Sequence, residues 1–352
     1  MAFSAPGGAG APEQGRRVQA EFNGAAGEYF RIWIVNLFFS LITLGIFSAW
    51  AKVRKKKYFY GSTRFDGDSF DYFADPKSIL KGRVLAATLL IVYVFAGELF
   101  PDSRFIFWVL AIVLLPGLVV RAFTFNARNS AWRGVRFDFT ATTGAMAWVC
   151  IGRLIVAVLT LGIGFAWFLA RVKSFVVSHH ALGTSRFVCD ISGRAFFNIY
   201  FISGLIIAAV GVPMGLLSAY VLPGIEEFES LSWLQLALPA IALYFGYVVA
   251  YAYIQVRTTN LLWQGTTGPG MRFESSLSAK RLIGIYLGNI LAVACSVGLL
   301  IPWAVVRTLR YRLENLALIV DGPGVHEANS ALAPIGATGQ ELGDLFNLDL
   351  GL

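Results

Sequence analysis

Charge is the scarcest property of this sequence. Asp, Glu, Lys and Arg make up 14% of its 352 residues, against about 25% in soluble globular domains. Coupled to 57% hydrophobic residues and a mean hydropathy of +0.64, that shortage excludes an ordinary water-soluble protein. Cysteine is rare too: Cys150 and Cys295 lie in apolar stretches and Cys189 in a loop, which argues against a disulfide framework or a thiolate metal site. Of three histidines, His179 and His180 are adjacent, and helix neighbours point about 100° apart, a poor metal pair. There is no Walker-type phosphate loop, no HExxH and no GxSxG, so catalysis is disfavoured and no metal or cofactor is expected. Residues 1–20, MAFSAPGGAGAPEQGRRVQA, lack the apolar core of a secretory signal and are expected to be a disordered tail.

What the chain does have is apolar length. Seven stretches, roughly 28–50, 84–99, 105–125, 145–170, 198–222, 232–256 and 282–306, approach the ~20 residues that cross a bilayer core. Three of them share a pattern, G-x4-W-x3-R: Gly45, Trp50 and Arg54 recur as Gly162, Trp167 and Arg171, and again as Gly298, Trp303 and Arg307. Two residues before each glycine stand Thr43, Thr160 and Ser296, and nine before it Asn36, Arg153 and Asn289. Between these elements lie pairs of apolar stretches, 84–125 and 198–256. The expected organisation is therefore one membrane domain, 21–322, of repeat units about 21–133, 134–269 and 270–322, followed by an acidic flexible tail, 323–352. A further theme, GSTRF (61–65), GVRF (134–137), GTSRF (183–187) and GMRF (270–273), predicts short strands at the membrane edge. In TRFDGDSFDYF the Asp66-Gly67 pair is a strong hairpin signal.

Lysine and arginine decide which way the elements run, because short cytoplasmic loops concentrate them. If all seven stretches crossed, the basic residues of the loops and tails, Arg121 counted with the loop it borders, would divide 16 against 11. If each G-x4-W-x3-R element begins and ends on one face, the division is 26 against 1. The second arrangement makes Gly45, Gly162 and Gly298 helix breaks, with the acidic turns ELFPDSR (98–104) and LPGIEEFES (222–230) facing outward. The competing possibility is a straight crossing, since 28–50 as an unbroken helix spans about 35 Å.

Several residues are candidates for function. Asn36, Arg153 and Asn289, with Thr43, Thr160 and Ser296, either line a cavity for a polar or anionic group or serve helix packing alone. Trp50, Lys52, Arg54, Lys55, Lys56, Lys57, Trp167, Arg171, Trp303 and Arg307 are expected at the interface, where tryptophan and snorkelling basic side chains meet lipid headgroups. KVRKKK (52–57) abuts an apolar segment, which points to anionic lipids and not to nucleic acid. GVPMG (211–215) and GIYLG (284–288) are packing patterns. The tail carries Glu327, Glu341, Asp344 and Asp349 among leucines and no lysine or arginine beyond 323, which suits a protein partner or a solvated end.

The run GEYFRIWIVNLFFSLITLGIFSAWAKVRKKKYFYGSTRFDGDSFDY resembles the YjgN-like family of bacterial multi-pass inner-membrane proteins, and the likeness extends over nearly the whole chain from Glu21. It implies a bacterial inner-membrane location and a helical polytopic fold, and it brings no functional residues with it. The expected fold is thus an all-α polytopic membrane protein of repeated units, each a broken helix plus a transmembrane hairpin, with short juxtamembrane strands. The expected function is transport or handling of a small polar solute or lipid; the alternative is a membrane scaffold that recruits a partner.

Overall fold

Glycine dictates the turns from which the structure grows. The computed structural model describes residues 15–100, 103–220, 233–268 and 270–320. Asp66 and Gly67 take φ of +54° and +82°, the two left-handed residues a type I′ hairpin requires, so β2 (Thr63–Phe65) folds back on β3 (Asp68–Tyr72). Arg133 and Gly134, at +54° and +77°, do the same between β4 (Ser130–Trp132) and β5 (Val135–Phe139). Gly183 and Gly270 turn β6 (His180–Leu182) into β7 (Ser185–Arg186) and β9 (Thr266–Gly268) into β10 (Met271–Ser275). β8 (Val188–Cys189) pairs with β9, while β1 (Arg16–Phe22) and β11 (Leu316–Val320), from opposite ends of the described chain, pair with each other, Val18 facing Leu318.

All eleven strands among the described residues form one antiparallel sheet, in the order β7-β6-β5-β4-β3-β2-β1-β11-β10-β9-β8. Its two ends are consecutive pieces of one stretch separated by Phe187, so the sheet comes round on itself as a near-barrel. Side chains alternate across a strand, and the Arg-Phe theme uses that alternation. Phe65, Phe137, Phe187 and Phe273 belong to one apolar cluster with Phe22, Trp132, Leu182, Met271 and Leu318, while Arg64, Arg136, Arg186 and Arg272 are exposed. Phe70 stacks on Phe137 at 6.4 Å and on Trp132 at 6.2 Å, which fills the ring with aromatic surface.

Apart from β7 and β8, which Phe187 alone separates, strands not joined by a tight turn are joined by helices. α1 (Ala26–Ile42) and α2 (Ser48–Ser62) connect β1 to β2; α3 (Pro76–Leu99) and α4 (Ser103–Arg128) connect β3 to β4. α5 (Thr143–Ala147), a π-helical turn (Trp148–Gly152), α6 (Arg153–Leu159) and α7 (Phe165–Ser178) connect β5 to β6. α8 (Gly193–Tyr220) and α9 (Trp233–Gln264) connect β8 to β9, and α10 (Ala279–Cys295) and α11 (Ile301–Glu314) connect β10 to β11. In every case the two connected strands are hydrogen-bonded neighbours. Each helical excursion therefore leaves and re-enters through the same rim of the ring, and the tight turns occupy the other.

Among the described residues four helices, α3, α4, α8 and α9, are long and apolar enough to cross a membrane. α3 is started by Asp75, whose carboxylate accepts the Lys77 amide at 3.1 Å, with Pro76 in its first turn. α8 and α9 approach closely at Gly211, where an added Cβ would lie 3.0 Å from Leu243, and at Gly246, 3.3 Å from Val210. Gly215 and Gly284, the other halves of two expected packing patterns, have open space instead.

Two expectations need correction. The fold is mostly helical but not all-α: the short strands are parts of a single sheet, because each one's unpaired backbone groups require a partner. Of the expected N-terminal tail, Arg16–Ala20 instead belong to β1, held between β11 and β2. The turn 222–230 and the acidic tail from 323 lie outside the described residues.

Candidate functional site

The three G-x4-W-x3-R elements break in the same way. α1, α6 and α10 each stop three residues before the glycine, at Ile42, Leu159 and Cys295. Gly45, Gly162 and Gly298 take φ of +90°, +86° and +89°, and the residues before them, Leu44, Leu161 and Val297, +49°, +52° and +52°. Each glycine amide reaches back five residues, to Ser40 O (2.7 Å), Ala157 O (3.0 Å) and Val293 O (2.9 Å), as in a Schellman termination. Thr43, Thr160 and Ser296 complete the turn: their Oγ atoms accept the amides of Phe47 (2.9 Å), Gly164 (2.9 Å) and Leu300 (3.0 Å). Their hydroxyls thus hold the break in place. At its apex Leu44, Leu161 and Val297 are 95%, 94% and 92% exposed, so the most exposed point of each element is also strongly apolar.

Nine residues either side of the glycine, the two half-helices meet again. Arg54 Nη1 donates to Asn36 Oδ1 at 3.5 Å, and Arg307 Nη1 to Asn289 Oδ1 at 3.3 Å. Both asparagines are buried. Asn289 Nδ2 also donates to Ala304 O (3.2 Å) and Thr308 Oγ1 (2.9 Å). In the middle element the equivalent residues are Arg153, half-buried, and Arg171, exposed. Two arginines have no acceptor to offer each other, and among the described residues neither has a hydrogen-bond or ion-pair partner.

The expected interfacial residues divide. Arg54, Lys55, Lys57 and Arg171 are exposed. Lys56 turns inward, Nζ donating to Asn126 Oδ1 at 2.8 Å above the Tyr72 ring, and the Lys52 ammonium is buried. Trp50 stacks on Phe47, Trp167 on Phe197 at 5.0 Å, and Arg307 lies 5.0 Å over the Trp303 ring. The room for Trp167 comes from Gly193, where an added Cβ would be 2.3 Å from Trp167 Cδ1. Beyond Arg171, desolvation and then the positive Arg312 pull the Lys173 ammonium below the ordinary lysine range.

One cluster escaped sequence reasoning. At the turn rim Arg133 bridges Asp66 and Asp68, both at 2.7 Å, and Arg16 also reaches Asp66. The hydrogen bond from Arg133, aided by Arg16, holds the Asp66 carboxyl below the usual carboxylate range. Asp66 was legible as a turn residue, but its cationic partners come from 50 and 67 residues away.

The family model described as "Bacterial protein of unknown function (DUF898)" matches residues 17–345. The "Inner membrane protein YjgN" of Salmonella typhimurium strain LT2 is 22% identical over 347 residues, 84% of this chain and 86% of that protein. The protein of that name from Escherichia coli O157:H7 is 26% identical over 51% of this chain and 45% of its own length, and that of strain K12 27% over 42% and 37%. No solved structure matches. With the match spanning nearly the whole chain and four apolar helices of spanning length, this chain belongs to the DUF898 family of bacterial proteins, as a YjgN-like protein of the inner membrane.

Proposed function

We propose that the protein engages and rearranges phospholipid in the cytoplasmic leaflet, by means of three re-entrant wedges that are copies of one unit. The observation that carries this is the pairing of apolar apices, 92–95% exposed, with roots on both sides in neighbouring strands of one ring. An apex nine residues above the Asn–Arg pair stands about 13 Å from it at 1.5 Å per residue, close to half of a ~30 Å hydrocarbon core. The wedge then reaches mid-bilayer while Arg54, Arg171 and Arg307 remain at headgroup depth, where anionic lipid attracts them. Solute conduction has less support: aromatic packing fills the ring, and Asn36 and Asn289 are already bonded to arginines.

The test has two parts. Nitroxide labels at Leu44, Leu161 and Val297 in reconstituted vesicles are expected to respond to oxygen and not to a polar nickel chelate; reversed accessibility removes the wedges. Exchange of headgroup-labelled phospholipid between leaflets is expected to exceed that of protein-free vesicles and to fall in the triple variant Leu44→Asp, Leu161→Asp, Val297→Asp. Release of an entrapped polar solute without lipid exchange would favour transport. The exposed arginines Arg64, Arg136 and Arg186 around the ring favour a second reading, a basic cytoplasmic scaffold for an acidic partner. Salt-sensitive capture of an acidic peptide, lost on their joint replacement by Gln, would support it.

A further inference from the structure

We propose that Arg153 and Arg171 together form a site for the phosphate of an anionic phospholipid, a feature of the middle wedge alone; the inference rests on the wedge reading above. The backbone hydrogen bonds of the three breaks correspond one for one, so the positions nine before and nine after the glycine are equivalent. In the outer two wedges those positions are demonstrably neighbours, with Nη1 to Oδ1 distances of 3.5 and 3.3 Å. There the asparagine oxygen accepts one of the arginine's five donors and adds no charge. In the middle wedge that acceptor is replaced by a second guanidinium, and no carboxylate among the described residues takes its place.

Two like charges on adjacent half-helices repel, and an anion between them offsets that repulsion. A guanidinium is a rigid fork of donors matched to phosphate oxygens, and two forks offer more donors than a phosphodiester can exhaust. The depth of the pair selects the source of the anion. It lies about 13 Å below an apolar apex, at the level where lipid phosphates are concentrated, beside the π-helical turn Trp148–Gly152 that leads into Arg153. Such turns mark functional positions in helices more often than chance. In the outer wedges a neutral asparagine stands where the middle wedge has its second guanidinium, so only the middle wedge sets two positive charges side by side.

The decisive variant is Arg153→Asn, which gives the middle wedge the residue its neighbours carry and so preserves the fold. Full-length protein is reconstituted in mixed phosphatidylglycerol and phosphatidylcholine vesicles, extracted, and its retained lipid counted by native mass spectrometry. Wild type is expected to retain phosphatidylglycerol preferentially, and Arg153→Asn to lose that retention about five-fold, the ratio equivalent to one basic residue at an anionic surface. Asn36→Ala is expected to retain as wild type does. Equal retention by wild type and Arg153→Asn overturns the site. If Arg153→Asn fails to fold, wild type is judged by headgroup competition alone, and indifference between the two lipids overturns it. Inorganic phosphate protecting detergent-solubilised protein as well as phosphatidylglycerol does would overturn the lipid as source. Embedded nitroxides at the three apices together with unchanged retention would remove this site and leave the wedge reading intact.

Discussion

Leu161 is 94% exposed at φ +52°, a conformation that costs a non-glycine residue roughly 1–2 kcal/mol. Only the glycine that follows makes such a turn affordable, because Gly162 at φ +86° has nothing within 4 Å of its missing Cβ and is needed for conformation alone. Gly162→Ala is therefore expected to lower stability by about 1–2 kcal/mol, read from chemical unfolding in detergent; no loss would mean the turn is not left-handed. His180 tests the fold by pH. Its Nδ1 lies 2.8 Å from Val176 O and its ring 4.9 Å from Phe139, and desolvation depresses its pKa, with His179 lowering and Val176 and Asp138 raising it by less. A histidine depressed in the folded state is protonated first in the unfolded chain, so its contribution is intact above about pH 6.5 and lost as pH falls below that value. Thermal midpoints between about pH 7.5 and 5.5 are expected to fall in wild type and to flatten in His180→Gln.

At the scale of elements, what decides each junction is whether backbone occupies the space beside a glycine. Gly265, where α9 passes into β9, would place a Cβ 2.5 Å from Asp190 O and 3.1 Å from Leu261 O, while its own carbonyl accepts the Asp190 amide at 2.9 Å. Gly265→Ala should cost about 1–3 kcal/mol; Gly61, in α2 with open space around it, should tolerate Ala and gain about 0.5–1 kcal/mol from helix propensity. Equal effects at the two positions would contradict this packing. The helix breaks and turns were legible because each rests on local chemistry: a glycine before a tryptophan, Asp66-Gly67, an arginine followed by phenylalanine. The direction of a basic side chain was not. Lys56 and Lys57 are neighbours in KVRKKK, yet one bonds Asn126 and the other is exposed, a difference set by where α4 lies and by nothing in the motif.

The ring was hidden from the sequence for a related reason, since its strands are two to seven residues long and its closing pairs join segments far apart in the chain. β1 meets β11 across some 300 positions, and no alternation in a stretch as short as RRVQAEF identifies such a partner. The alternation of tight turns with helical connections between neighbouring strands places all five helical excursions on one rim, and the ring they stand on can be tested directly. In a background with Cys150, Cys189 and Cys295 replaced by Ala, Arg17→Cys with Ile319→Cys reports β1 on β11, and Val188→Cys with Thr267→Cys reports β8 on β9. Paired positions in antiparallel strands lie about 4.5–5.5 Å apart between Cα atoms, within disulfide reach. Arg17→Cys with Thr267→Cys, three strand spacings away in the sheet order or about 14 Å, should remain reduced. Oxidation of both neighbouring pairs and not of the third is expected in native membranes. A reduced β8–β9 pair beside an oxidised β1–β11 pair would mean that the ring is open between β8 and β9, and α8 and α9 would then no longer spring from paired strands.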